Sequence, residues 1–194
     1  MPPFHSIFNQ NEKEPPKYPM ACGMPILPLR ASAQRGPAPV NAIEQDIVDE
    51  AINYYRANVL FRNFDLKGAA DKVLIYLTLF ITQALQRARP TKQECANTWS
   101  SLAIESFVLP GDGSFALAGY ITAPAQQREL DTIRLYLQQL RAEVCVRLLE
   151  KIYPAPVPAS PTSSAQVTFP DFRVSHPSKW WLQFAKHRFL NKAL

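Results

Sequence analysis

Glycine is scarce in this 194-residue chain, at 6 positions. No Gly-x-x-x-x-Gly-Lys loop and no Gly-x-Gly-x-x-Gly turn occurs, so the familiar phosphate and dinucleotide cradles are excluded. Histidine is rarer still, with only His5, His176 and His187, and the three cysteines, Cys22, Cys95 and Cys145, are far apart. Neither a Cys-x-x-Cys pair nor a His-x-x-x-His pair is present, which argues against a zinc site. An odd number of scattered thiols suits a reducing cytosol better than an oxidising exterior. The sequence also lacks an Asn-x-Ser/Thr acceptor, and its first residues do not form a basic-then-apolar leader. Its longest apolar run, residues 73–81, spans nine positions, against about 20 for a membrane-crossing helix. A nucleophile elbow is missing too. The expected catalytic residues, metal ligands and cofactors are therefore none, and no small-molecule substrate is expected.

What is present is an ordinary globular balance, 47% hydrophobic and 19% charged, with an excess of proline at 18 positions. The length suits one domain. The net charge of +5 is unevenly placed. Residues 41–153 are nearly neutral, with 12 bases and 13 acids, whereas residues 154–194 hold five bases and one acid. A cationic C-terminal end complements a helix dipole or an acidic partner.

Residues 1–23, polar and Pro-rich at the start, read as a flexible tail. The Pro-interrupted apolar stretch 24–30 reads as an extended segment on the body of a domain covering 24–194. Asn41 with Glu44 resembles a capping box and predicts a first helix from about Asn41 to residues 61–64, with Ile43, Ile47, Ala51, Ile52, Tyr55 and Val59 inward. Asp46 and Asp49 read there as helix-start acids. A second helix, 69–89, is apolar on nearly every side and ends at Pro90. Thr91 with Glu94 caps a weaker third helix to about Ala103.

The Pro110-Gly111-Asp112-Gly113 turn between short apolar pieces allows a hairpin. A long helix follows at 124–152, with Leu130, Ile133, Leu137, Leu140, Val144 and Leu148 on one stripe. Arg128, Arg134, Arg141 and Arg147 lie mostly off it, as a solvated basic face. Residues 154–175 are Pro/Ser-rich and read as a flexible loop. A last helix spans about 178–190. The fold class is mainly α: a single compact helical domain of about five helices, an extended N-terminal segment and one short hairpin.

The densest unusual feature is the cluster Trp180, Trp181, Phe184 and Phe189 among Lys179, Lys186, Arg188 and Lys192. On a helix, Trp180 and Phe184 share one face, and Trp181, Ala185 and Phe189 another. One face can bury on the body, and the other suits the body or a partner. Each ring buries about 150–250 Å², or roughly 4–6 kcal/mol at most. Lys179, Trp180, Trp181, Phe184, Lys186, Arg188 and Lys192 are accordingly the candidate protein interface. A stand-alone cytosolic helical module binding anionic membrane or nucleic acid through this basic helix is the alternative.

A set of motifs in fixed order carries a family resemblance. These are Leu27-Pro28-Leu29-Arg30, Gly36-Pro37-Ala38-Pro39, Asp46-Ile47-Val48-Asp49-Glu50-Ala51-Ile52, Ala57-Asn58-Val59, Leu74-Ile75-Tyr76-Leu77-Thr78-Leu79, Tyr136-Leu137-Gln138-Gln139-Leu140-Arg141, and Pro177-Ser178-Lys179-Trp180-Trp181. Phe184, Lys186, Phe189, Asn191 and Lys192 follow the last of them. The chain resembles the subunit 3 family of the actin-related protein 2/3 complex. That resemblance implies a mostly helical, non-enzymatic subunit of an assembly that nucleates branched actin filaments. It implies docking chiefly on actin-related protein 3, with the other subunits and the actin filament as further partners and no nucleic acid. It places the chain in the cytoplasm, at the cortical actin cytoskeleton. The loop at 154–175 and the tail at 1–23 are longer than the family pattern.

Overall fold

The computed structural model describes residues 2–10, 15–153 and 176–194. The expected flexible loop at 154–175 lies outside them. Helix α2 (Ala69–Gln86) is the centre, and residues 73–82 are all buried. Its two internal threonines return their hydroxyls to the helix itself, Thr78 to the Leu74 carbonyl at 2.8 Å and Thr82 to the Thr78 carbonyl at 3.1 Å. These two hydroxyls are thereby satisfied within the helix despite its apolar surroundings. Around it pack α1 (Ile47–Asn58), α4 (Gln127–Ile152) and the C-terminal segment, and α3 (Lys92–Ile104) packs on α4.

The start of α3 is as the sequence predicts. Thr91 caps it, accepting from the Glu94 amide at 3.3 Å. Trp99 is buried, and its indole N–H donates to the Ala84 carbonyl of α2 at 2.8 Å. Thr91→Ala is expected to lower stability by about 1 kcal/mol, read as a shifted urea midpoint at unchanged slope.

Five expectations are corrected. First, α1 starts at Ile47, not near Asn41, because Asp46 is the true cap, accepting from the Val48 and Asp49 amides at 3.0 Å each. Second, the 110–113 turn makes no hairpin. Asp112 folds its side chain back onto Ser114, and successive short turns link Leu109, Asp112, Phe115 and Ala118. The hairpin lies instead at β1 (Met20–Ala21) and β2 (Met24–Pro25). Its two-residue turn puts Cys22 at φ 52° and Gly23 at φ 72°, the left-handed pair such a tight turn requires.

Third, residues 4–9 are packed, not a free tail. The Phe4 amide and carbonyl pair with the Asn58 side chain at 2.9 Å each, and the Phe4 ring stacks on Tyr54 at 5.0 Å. Fourth, Arg141 and Arg147 are buried, because α4 is packed against more than one neighbour. Fifth, α4 begins at Gln127, and the last helix is broken. Its α-helical part is α5 (Lys179–Leu182), followed by tighter turns at Gln183–Lys186 and Phe189–Asn191. Leu190 and Asn191 have left-handed backbones, which turn the chain so that Phe189 and Leu190 bury. All three cysteines are free and buried. Among the described residues no helix is long and apolar enough to cross a membrane.

Candidate protein-interaction surface

The C-terminal segment is laid onto α1 and α2 by its own backbone and rings. The Ser178 amide donates to the Ile152 carbonyl at 2.8 Å, which ties the segment to the end of α4. Gln86 of α2 donates to the Ala185 carbonyl at 3.0 Å, and the Leu190 amide reaches the Phe61 carbonyl at 3.2 Å. Tyr55 of α1 organises the middle. Its ring stacks on Trp181 with centroids 5.9 Å apart and planes 14° apart, and Arg56 lies 5.6 Å from the same indole. The Tyr55 hydroxyl meets Thr82 at 3.1 Å and the Phe184 carbonyl at 3.5 Å. Burial pushes this phenol up to about 12, so it stays a neutral donor at physiological pH.

The seven candidate residues therefore divide. Trp181 and Phe184 are half-buried against the body, and Lys192 is half-buried nearby. Trp180 points away and is 68% exposed. Lys179, Lys186 and Arg188 are also exposed. The outward face is thus one large indole with cations along the same short segment. Solvent-facing tryptophan beside arginine or lysine is the composition of an interface anchor.

A second exposed apolar feature escaped the sequence reading. Between α3 and α4 runs a cleft of about 410 Å³, lined by Ala96, Ala103, Ile104, Val146 and Leu149. Ile104 is 66% exposed and Val146 50%. The signal was available, since Val146 falls off the Leu137–Leu140–Val144–Leu148 stripe and so had to face elsewhere.

The comparisons with known proteins decide the family. The profile described as "P21-Arc: ARP2/3 complex ARPC3 (21 kDa) subunit" matches residues 1–194. The chain belongs to the P21-Arc family. A relative from Dictyostelium discoideum, named actin-related protein 2/3 complex subunit 3, is 40% identical over 193 residues, covering 98% of this chain and 99% of its own. Proteins of the same name from Arabidopsis thaliana (41% identical, covering 88% of this chain and 89% of the relative) and Schizosaccharomyces pombe (38%, covering all of both) are also similar. The match to the P21-Arc relatives runs through the packed N-terminal residues as well as the C-terminal segment.

Proposed function

We propose that this chain is a non-catalytic structural subunit of an actin-related protein 2/3 complex. In this reading it supports nucleation of branched actin filaments by docking on actin-related protein 3 and helping hold the active assembly at the branch, in the cytoplasmic actin cytoskeleton. The observation that carries the reading is the end-to-end match to proteins named as subunit 3 of that complex. The use of the buried acids is in keeping with it. Asp46, Glu50 and Asp71 are spent on backbone amides, a hydroxyl and an arginine of the fold itself. The exposed Trp180 with Lys179, Lys186 and Arg188 supplies the chemistry of a docking surface for an acidic partner face.

Trp180→Ala tests this. The isolated chain should keep its melting temperature, because the side chain is solvated. Incorporation into the complex should weaken by at least about 2 kcal/mol, the loss of a hot-spot anchor. An isolated chain that melts early, or a complex that assembles with unchanged affinity, would remove Trp180 from the interface. Glu at Lys186, Arg188 and Lys192 together separates this reading from its alternative. A subunit loses assembly, whereas a stand-alone module loses salt-sensitive binding to anionic vesicles or nucleic acid.

A further inference from the structure

The N-terminal and C-terminal segments meet at one connector. Residues 59–68, between α1 and α2, hold no helix or strand, and Phe64 within them is 4% exposed. The His5 ring lies 4.8 Å from the Phe64 ring, and Phe189 meets that same ring edge-on with centroids 6.0 Å apart. Three residues earlier the Phe61 carbonyl takes the Leu190 amide at 3.2 Å. The groups that flank the connector also hold the N-terminal segment. Asn58, just before it, pairs with Phe4. Asp71, just after it, accepts from Ser6 and from the connector's own Lys67 amide.

Residues 4–9 are attached in an unusual way. Among the described residues their one backbone–backbone bond, from the Asn9 amide to the Ser6 carbonyl, is internal. Every polar tie to the body uses a side chain, chiefly Asn58, Glu50 and Asp71. Such a segment can leave as a unit while the helices beneath it keep their own backbone ladders. Ser6 sits between two acids, its hydroxyl on Glu50 at 2.7 Å and its amide on Asp71 at 2.9 Å. When the segment leaves, Phe64 loses His5 and Asn58 loses Phe4, so the connector that seats Phe189 and Leu190 loosens. The far end of the C-terminal segment is held independently, by the Ser178 amide on the Ile152 carbonyl.

We propose that residues 4–9 are a releasable strap that sets the position of the C-terminal segment around Arg188 and Lys192, with the Phe64 ring as the joint. Release of the strap unseats Phe189 and Leu190 and disperses the two cations beside them. The consequence for docking rests on the subunit reading, whereas the coupling is a property of the chain alone. It runs both ways, so a partner that fixes the C-terminal segment also tightens the strap.

Amide hydrogen exchange on the full chain tests this. Ser6→Asp sets a third carboxylate against Glu50 and Asp71, an uncompensated charge that should expel the strap. The Ile7 amide should then exchange faster, and the Leu190 and Lys192 amides with it by about tenfold, while the Ser178 amide keeps its rate. In a Phe64→Leu background the same substitution should change Leu190 exchange by less than about twofold. A chain lacking residues 2–10 frees the same surface without added charge and should reproduce the Leu190 effect. That chain decides alone if Ser6→Asp leaves the Ile7 amide protected or does not fold. Incorporation of Ser6→Asp into the complex should weaken about tenfold as well, although none of the seven candidate interface residues is altered. Three results would overturn the proposal: unchanged Leu190 exchange with the strap free, equal acceleration at Ser178, or a full response that survives Phe64→Leu. Each would leave the subunit reading standing, because that is judged on assembly of the wild-type chain. A wild-type chain that never assembles would remove the subunit reading and leave the exchange result intact.

Discussion

Arg147→Ala is expected to destabilise the chain by about 3–5 kcal/mol, the cost of stranding buried carboxylates. At about 2–4 °C per kcal/mol for a domain of this size, the melting temperature should fall by roughly 6–20 °C. The reason is the density of charge around one guanidinium. Nη1 and Nη2 grip the two Asp46 oxygens at 2.6 and 2.7 Å, Nε takes Glu143 at 2.7 Å, and Asp49 lies at 2.9 Å. Asp46 is fully buried and caps α1, so removal of Arg147 leaves an uncompensated anion inside the α1–α4 contact. Arg147→Lys should recover only part of the loss, because an ammonium cannot reproduce the fork.

The pH profile adds a check. Burial pushes the Asp49 carboxyl up, but the hydrogen bonds and charges of Arg30 and Arg147 outweigh it and hold the carboxyl below its ordinary value of 3.8. A depressed folded value means stabilisation that is present above that ordinary value and lost as pH falls through the folded one. In Arg147→Ala the Asp49 contribution to acid sensitivity should shrink, leaving only the part supplied by Arg30. An arginine-to-alanine variant as stable as the parent would refute this account of the junction.

Asp71→Ala is expected to cost about 3 kcal/mol, measured by urea unfolding, as several donors lose their acceptor. The carboxylate accepts from the Ser6 amide at 2.9 Å, the Asn9 side chain at 2.7 Å and the Lys67 amide at 2.9 Å, and meets His5 Nδ1 at 2.8 Å. Three of these four partners lie within residues 4–9. The aspartate therefore acts mainly as the clasp for that segment, and Glu50 acts as a second clasp through Ser6 and Ile7. Asp71→Ala and removal of residues 2–10 should be strongly non-additive. In a chain lacking residues 2–10, Asp71→Ala should cost about 1 kcal/mol or less, since only the Lys67 amide remains. Full additivity would show that the aspartate works through something else.

Glu50 gives the opposite acid response to Asp49. Burial raises it, and the Asp71 and Asp46 charges add to that against the Ser6 and Ile7 hydrogen bonds. Its contribution is complete below its ordinary value of 4.5 and lost as pH rises through the folded one. Glu50→Gln should remove that slope.

The parts of the fold legible in sequence are those fixed by neighbours in the chain. Helix α2 was readable because its apolar run has a hard stop at Pro90, and α3 because Thr91 and Glu94 close their own cap. The start of α1 was not, because two candidate caps, Asn41 and Asp46, compete within six residues. Asn41 and Glu44 imitate a box, but Asp46 wins through the Arg30 amide at 2.7 Å and through Arg147. Periodicity assigned Arg141 and Arg147 to water because a single stripe describes a helix with one buried face, whereas α4 meets α1, α2, α3 and β1. The aromatic cluster was visible, but not its division. Stacking on Tyr55 claims Trp181 and leaves Trp180 outside, and that choice rests on a residue more than a hundred positions away.

The α1–α4 junction also has a consequence for how the polypeptide is made. Asp46 waits for a guanidinium 101 positions downstream, and Cys22 for a carboxylate 107 downstream. Few of these closures can form while synthesis is under way, and long loops must be gathered before they reward the chain. A ribosome-tethered fragment ending before α4 would hold its early helices as fluctuating, protease-sensitive pieces. The protein should therefore reach its final shape only after almost all of it has emerged.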